Sequence, residues 1–320
     1  MSLRLESDWM WDFWHAREAS RHHLFFLRAP RTSDDPDRRH LAATMGHAVS
    51  DDLTTWELLP QPIHRGEPGD WDDSATWTGS VIATDAGWGM LYTGTNREEN
   101  SLVQRVGLVR SNDLIYWEKH SENPVLQADP RWYELLDLDA WHDQAWRDPY
   151  VVRDEEGTFH AFLTARAAKG PPEARGVIGH AMSQDLEEWT ILPPIEAPAG
   201  FGYMEIPQII RIGHLWHLLF SAPAWAQGGR AGTLPVTGTF HAVSDRIDGP
   251  YGEVAPLFVD RDERLYGGKL IEVDGRLVCL AFRYLNKSGS FVGELIDPLP
   301  VVVKGEGELV VETGSALAVP

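Results

Sequence analysis

The chain has 320 residues, 43% of them apolar, with one cysteine and a formal charge of −20. That apolar content can bury a large core and excludes a disordered or fibrous protein, while the negative field makes nucleic acid and membrane surfaces poor partners. A small neutral ligand fits better, and the 14 tryptophans offer indole faces that can stack on sugar rings as well as fill a β core.

From the N-terminus, Met1 to Trp14 carries charges throughout and lacks the apolar stretch of a secretory signal, and no later run reaches the length of a membrane span. A cytoplasmic location is therefore expected. The first recurring element is His47–Trp56, a short alternating strand that runs into a polar turn and then a tryptophan. It returns as Leu108–Trp117, as His180–Trp189 and, in degenerate form, as His241–Asp245. The serines of the four copies, Ser50, Ser111, Ser183 and Ser244, lie 61, 72 and 61 residues apart, so the unit is about sixty residues long.

A second element precedes most copies. Val81–Tyr92, Tyr150–Thr164, Ile209–Phe220 and Leu270–Phe282 read as hairpins around tight turns, each with a glycine to supply positive φ. Hairpin, strand and turn with tryptophan make one four-stranded antiparallel unit, and five units fit the length. The expected fold is all-β, a single five-bladed β-propeller over residues 1–320. Its blades fall at roughly 8–60, 70–120, 140–192, 203–252 and 264–298, and the valine-rich run 300–312 is expected to help close the ring. Cys279 lies in an apolar run and reads as a core residue. No cysteine framework and no His-x-x-x-His spacing points to a metal, and no cofactor is expected.

In a propeller the first strand of every blade lines the axis, so residues at the start of those strands converge. The five segments are Trp11-Asp12-Phe13-Trp14, Trp77-Thr78-Gly79-Ser80, Trp146-Arg147-Asp148-Pro149, Met204-Glu205-Ile206-Pro207 and Tyr266-Gly267-Gly268-Lys269. Three of them carry a carboxylate among apolar neighbours, a costly arrangement that stability alone does not select. Glycoside hydrolysis does need paired carboxyl groups, one to protonate the leaving oxygen and one to attack or to activate water.

These segments, with His22-His23-Leu24-Phe25-Phe26 and Gly46-His47-Ala48-Val49-Ser50, resemble the fructan-processing glycoside hydrolases of families 32 and 68, relatives of family 43. The resemblance implies that Asp12 is a nucleophile, that Asp148 holds ring hydroxyls and stabilises the transition state, and that Glu205 is general acid and then base. It further implies that Arg147 orients the carboxylates and that Trp77 and Thr78 line the sugar pocket, and Trp11 beside Asp12 is a candidate for substrate binding. Asp73, close before Trp77, and His142, upstream of Arg147, are further candidates for substrate contact. The expected activity is cleavage of a furanoside bond in sucrose or a fructo-oligosaccharide with retention. Two alternatives stay open, an inverting hydrolase acting on arabinofuranosides or xylosides and a propeller that binds carbohydrate without cleaving it.

Overall fold

Five antiparallel sheets surround one axis in the computed structural model, which describes residues 3–31, 35–228, 230, 235–258 and 264–312. Blade one comprises β1 (Asp8–Glu18), β2 (Arg21–Pro30), β3 (Thr44–Ser50) and β4 (Glu57–Leu59). Blade two comprises β5 (Ala75–Thr84), β6 (Gly87–Thr95), β7 (Gln104–Ser111) and β8 (Glu118–Lys119). Blade three holds β9 (Trp146–Arg153), β10 (Phe159–Arg166), β11 (Gly176–Ser183) and β12 (Thr190–Leu192). Blade four holds β13 (Glu205–Ile212), β14 (Leu215–Ala222), β15 (Gly238–Ser244) and β16 (Ala255–Phe258). Blade five is built from β17 (Leu265–Val273), β18 (Arg276–Leu285), β19 (Phe291–Leu295), β20 (Leu299–Lys304) and β21 (Glu308–Val311).

The innermost strands β1, β5, β9, β13 and β17 touch in that cyclic order, and β17 returns to β1. Apolar clusters fill the spaces between neighbouring blades, as between β7 and β9 around Leu108, Trp146 and Val151. The hairpin turns fall where the glycines predict them: Gly87, Gly157, Gly213 and Gly275 all have positive φ.

The ring is not closed by residues 300–312. They form β20 and β21, which extend blade five outward from β18. Val301 and Leu309 are buried against the blade-five core while Val302 and Val303 are exposed, as befits strands at the outer edge of the sheet. Closure comes from the other end, through a bridge between Leu3 and Leu295 and the packing of β1 on β19.

The sixty-residue repeat is a turn device on the perimeter. Asp113 Oδ1 accepts the backbone N–H groups of Ile115 and Tyr116 at 2.9 Å, and Asp52 and Asp185 do the same for Thr54 and Thr55 and for Glu187 and Glu188. The next residue, Leu53, Leu114 or Leu186, is buried with φ near 60–70° and anchors the turn in the core. The indoles of Trp117 and Trp189 close the motif on the carbonyls of Leu114 and Leu186.

The repeat also carries paired histidines. His23 with His47, His160 with His180 and His217 with His241 stack at equivalent places in blades one, three and four, their ring nitrogens 3.0–3.1 Å apart. Burial pushes His47 down to about 3 and His180, His217 and His241 to about 4, each below the ordinary 6.5. An unfolded chain binds protons there that the folded one refuses, so stability is present above pH 6.5 and lost as pH falls toward 4. Thermal melts are expected to show Tm falling across that window, and His217→Phe combined with His241→Leu to flatten the slope. A Tm indifferent to pH there contradicts the account.

Candidate active site

Each innermost strand loses register once at the same level of the axis. The breaks lie at Trp11/Phe13, Thr76/Gly79, Arg147/Tyr150, Glu205/Gln208 and Tyr266/Lys269. These are β-bulges, which turn a side chain out of the strand's alternation. Asp12, Asp148 and Ile206 hold φ of 30°, 55° and 45° in them, a left-handed backbone that costs a non-glycine residue on the order of 1–3 kcal/mol. In blade five Gly267 takes the position at φ 68° without that cost, and a Cβ there would strike the Phe282 ring.

Asp12 and Asp148 thus sit at bulges near the start of their strands. Glu205 is also not equivalent to Asp12 and Asp148. It stands one residue before its bulge, in register with Arg147 and Tyr266.

Asp12, Asp148 and Glu205 line one cavity of about 550 Å³, together with Trp11, Trp77, Thr78, Arg147 and His142. Their surroundings differ sharply. Asp148 is buried and saturated: Thr78 Oγ1 donates to one oxygen, and Thr164 Oγ1 at 2.7 Å and the Ile206 N–H at 3.2 Å donate to the other. Glu205 accepts from Arg147 at 2.9 Å and from the Tyr266 hydroxyl at 2.5 Å. Asp12 makes no hydrogen bond or ion pair among the described residues.

Arg147 ties the group together. Its guanidinium donates to Asp143, Gln104 and Glu205 at 2.9–3.0 Å, lies 3.6 Å from Asp148, and rests over the Tyr203 ring at 4.6 Å. Burial works against its charge, but Asp143, Tyr203, Glu205 and Asp148 hold it firmly protonated. Burial, then the charges of Asp148 and Glu205, push the Asp12 carboxyl up to about 8, while Arg39 and Lys269 pull it down. Burial beside Glu205 raises Tyr266 well above a free phenol, so it stays a donor.

The remaining sequence candidates divide. Trp77 donates its indole N–H to the His40 carbonyl at 2.8 Å and forms part of the wall. Trp11 is buried in the wall, with the Arg39 guanidinium 5.4 Å above its ring. His142 is exposed on the rim and meets the Tyr203 hydroxyl at 3.1 Å. Asp73 does not line the cavity. Its oxygens accept the backbone N–H groups of Gly69 and Arg97 at 2.9 Å, so it organises the loop before β5. Those same bonds hold its carboxyl below the usual range.

Sequence reasoning missed Tyr266, Tyr203, Arg39 and Trp225. Tyr266 stood in the fifth converging segment, where the rule that found the acids would have found it too. Tyr203 and Trp225 come from connections outside the repeat. Trp225 is 62% exposed at the rim and stacks on Trp141 at 6.1 Å, an aromatic ledge beside the carboxylates.

A carboxyl with no partner among the described residues, a second held by a guanidinium and a phenol, and a buried third with donors on both oxygens line one cavity, the arrangement of a propeller of glycoside-hydrolase type. The glycosyl hydrolases family 32 N-terminal domain matches residues 14–287, and the chain belongs to that family. An extracellular sucrase of Zymomonas mobilis is 24% identical over 355 residues, 94% of this chain and 81% of that one. A bifunctional 6(G)-fructosyltransferase/2,1-fructan:2,1-fructan 1-fructosyltransferase of Allium cepa is 28% identical over 48% of this chain, a match spanning only 24% of that protein's length. Among solved structures, an inulosucrase from Halalkalicoccus jeotgali bound to kestose superposes with a TM-score of 0.75 at 20% identity, over 98% of this chain and 90% of that one.

The raised Asp12 carries a stability cost. The folded chain keeps a proton that the unfolded chain loses between 3.8 and about 8, so the stability it contributes is full below 3.8 and lost as pH rises. Asp12→Asn is expected to stabilise the protein at pH 7 by on the order of 2 kcal/mol, discounted for the solvent in the cavity, and to have no such effect below pH 4. Paired melts at the two pH values check this.

Proposed function

We propose that the protein is a β-fructofuranosidase-like hydrolase that releases fructose from sucrose or a fructo-oligosaccharide with retention at the anomeric carbon. The observation that carries the reading is the contrast among the three acids around one cavity, above all an Asp12 carboxyl with no hydrogen-bond partner among the described residues. Asp12 attacks the anomeric carbon as the bond to the leaving oxygen breaks, and the proton on Glu205 passes to that oxygen. Glu205 then takes a proton from the water that hydrolyses the ester. Asp148, fixed by Thr78, Thr164 and Ile206, accepts from ring hydroxyls and faces the positive charge that builds on the sugar.

The scheme requires Asp12 ionised and Glu205 protonated at the moment of attack. With one proton on the Asp12–Glu205 pair, moving it to Glu205 removes one of the charges that raises Asp12. The reactive species and the resting species then differ only in where that proton sits. Trp225 offers its face to the leaving-group sugar, and a cytoplasmic enzyme agrees with a lone buried cysteine, which cell fractionation tests.

Incubation with sucrose and early proton NMR of the released fructose is expected to show the β-anomer first. Asp12→Asn and Glu205→Gln are each expected to lower kcat by about 10³-fold or more, and Tyr266→Phe by about tenfold. An inverted first product, or full activity in Asp12→Asn, overturns the assignment.

A further inference from the structure

Arg39 lines the substrate cavity but takes part in none of the steps above. It stands in a short 3-10 turn, Pro36–His40, within the connection from β2 to β3. Asp35 opens that turn by accepting the Asp37 N–H at 3.0 Å, and the His40 carbonyl fastens its far end to the Trp77 indole at 2.8 Å. The Arg39 side chain is only 6% exposed, and its guanidinium lies over the Phe291 ring at 4.0 Å and the Trp11 ring at 5.4 Å.

Ring packing accounts for the buried guanidinium but not for its hydrogen bonds. Nη1 donates to the Pro36 carbonyl and to Asp37 Oδ1, both at 2.9 Å. Nε is buried without a partner, and Nη2 donates to none of the described residues. Arg166, buried against the Trp141 ring, shows the opposite case: its Nε, Nη1 and Nη2 donate to Glu134, Gly202 and Pro172 at 2.8–2.9 Å. An arginine that serves only the fold is satisfied in that way, because a buried donor without an acceptor is costly. Arg39 lacks acceptors that the protein does not supply, and the cavity is where one can enter.

Its neighbour indicates which kind. Asp37 lines the same cavity with its side chain 86% exposed, so the pair runs from solvent at the mouth to the buried wall. Asp37 Oδ2 accepts from none of the described residues. A phosphate here would meet Asp37 and the acids around Arg147, and like charges repel it. A free N–H beside a free carboxylate oxygen is instead a donor next to an acceptor, and two adjacent hydroxyls of a neutral sugar satisfy both. Asp12, Asp148 and Glu205 stand on innermost strands, whereas Asp37 and Arg39 come from a connection farther out. The sugar unit they meet is therefore the one beyond the cleaved bond.

We infer that Asp37 and Arg39 are specificity-determining residues that read two neighbouring hydroxyls of the leaving-group sugar. The inference rests on the fructofuranosidase reading of the carboxylates. Arg39 Nη2 donates to one hydroxyl, Asp37 Oδ2 accepts from the next, and Trp225 meets the apolar face of the same ring.

The test compares Arg39→Gln with wild type on sucrose and on para-nitrophenyl β-fructofuranoside, whose leaving group has no adjacent hydroxyls. KM for sucrose is expected to rise about tenfold with kcat within about threefold, and kcat/KM to fall at least about fivefold more for sucrose than for the aryl substrate. Asp37→Asn, at an exposed side chain, is expected to move the same ratio by about threefold. Calorimetry gives a readout without turnover: in the Asp12→Asn background, Arg39→Gln should weaken sucrose at least about fivefold more than fructose. Equal losses on both substrates and both ligands overturn the proposal and leave Arg39 a packing residue. If Arg39→Gln gives no cooperative melt, the same ratios for Asp37→Asn decide, and an unmoved ratio overturns the proposal. A wild type that cleaves neither substrate defeats the glycosidase reading while calorimetry still decides the role of Arg39. An Asp12→Asn protein that binds neither sugar defeats both.

Discussion

Four carboxyl groups crowd one end of the axis, and the Arg147 guanidinium offsets three of them. Arg147 reaches Asp143 and Glu205 directly and Asp148 at 3.6 Å. Like charges this close, walled by aromatic rings, would otherwise be protonated or driven apart. The guanidinium is itself desolvated, so it is stable there only because the acids surround it and because Gln104 and the Tyr203 ring take up its remaining donors and face. Neither side of the arrangement would survive without the other.

Convergence alone does not aim those groups; the bulges do. A regular strand alternates its side chains between two sheet faces, and a bulge at the same level in every blade turns one residue toward the axis instead. Left-handed aspartates at two of these bulges are a local cost, and the fold meets it elsewhere. Apolar interfaces between blades run outward from the innermost strands, and the aspartate-capped turns lie at the perimeter, where nothing has to react. Stability and chemistry are thereby separated along the radius of the ring.

That separation also decides what a single sequence can reveal. The perimeter repeats because its turn chemistry is local: a serine, an aspartate two residues on and a leucine at positive φ make one device wherever they occur. Blade number followed from counting it. Asp12, Asp148, Glu205 and Arg147 were legible because strand starts converge in any propeller, but the one-residue offset of Glu205 was not, since a bulge leaves no mark on the alternation. Asp73 misled for the opposite reason. An acid among aromatics looks the same whether its partners are backbone amides of its own loop or a ligand, and only the fold shows Gly69 and Arg97 beside it. Tyr203 and Trp225 depend on how connections drape over the rim, which no local pattern encodes. The terminal valines were read as closing the ring because strand propensity says that a segment pairs, not with which edge.

Hydrogen-bond saturation sorts the three acids more cleanly than position does. Asp148 has donors on both oxygens, which fixes its orientation and leaves it suited to holding a sugar ring rather than changing its own bonding. Glu205 is held by the Arg147 guanidinium and the Tyr266 phenol, two donors that fix its orientation. Asp12 has no donor among the described residues, so on the proposed mechanism it has a proton but no hydrogen bond to give up before it bonds to carbon. A carboxylate solvated by strong donors would be more stable as an anion and a poorer nucleophile, so on the proposed mechanism the feature that makes Asp12 costly to the fold is the one the reaction uses.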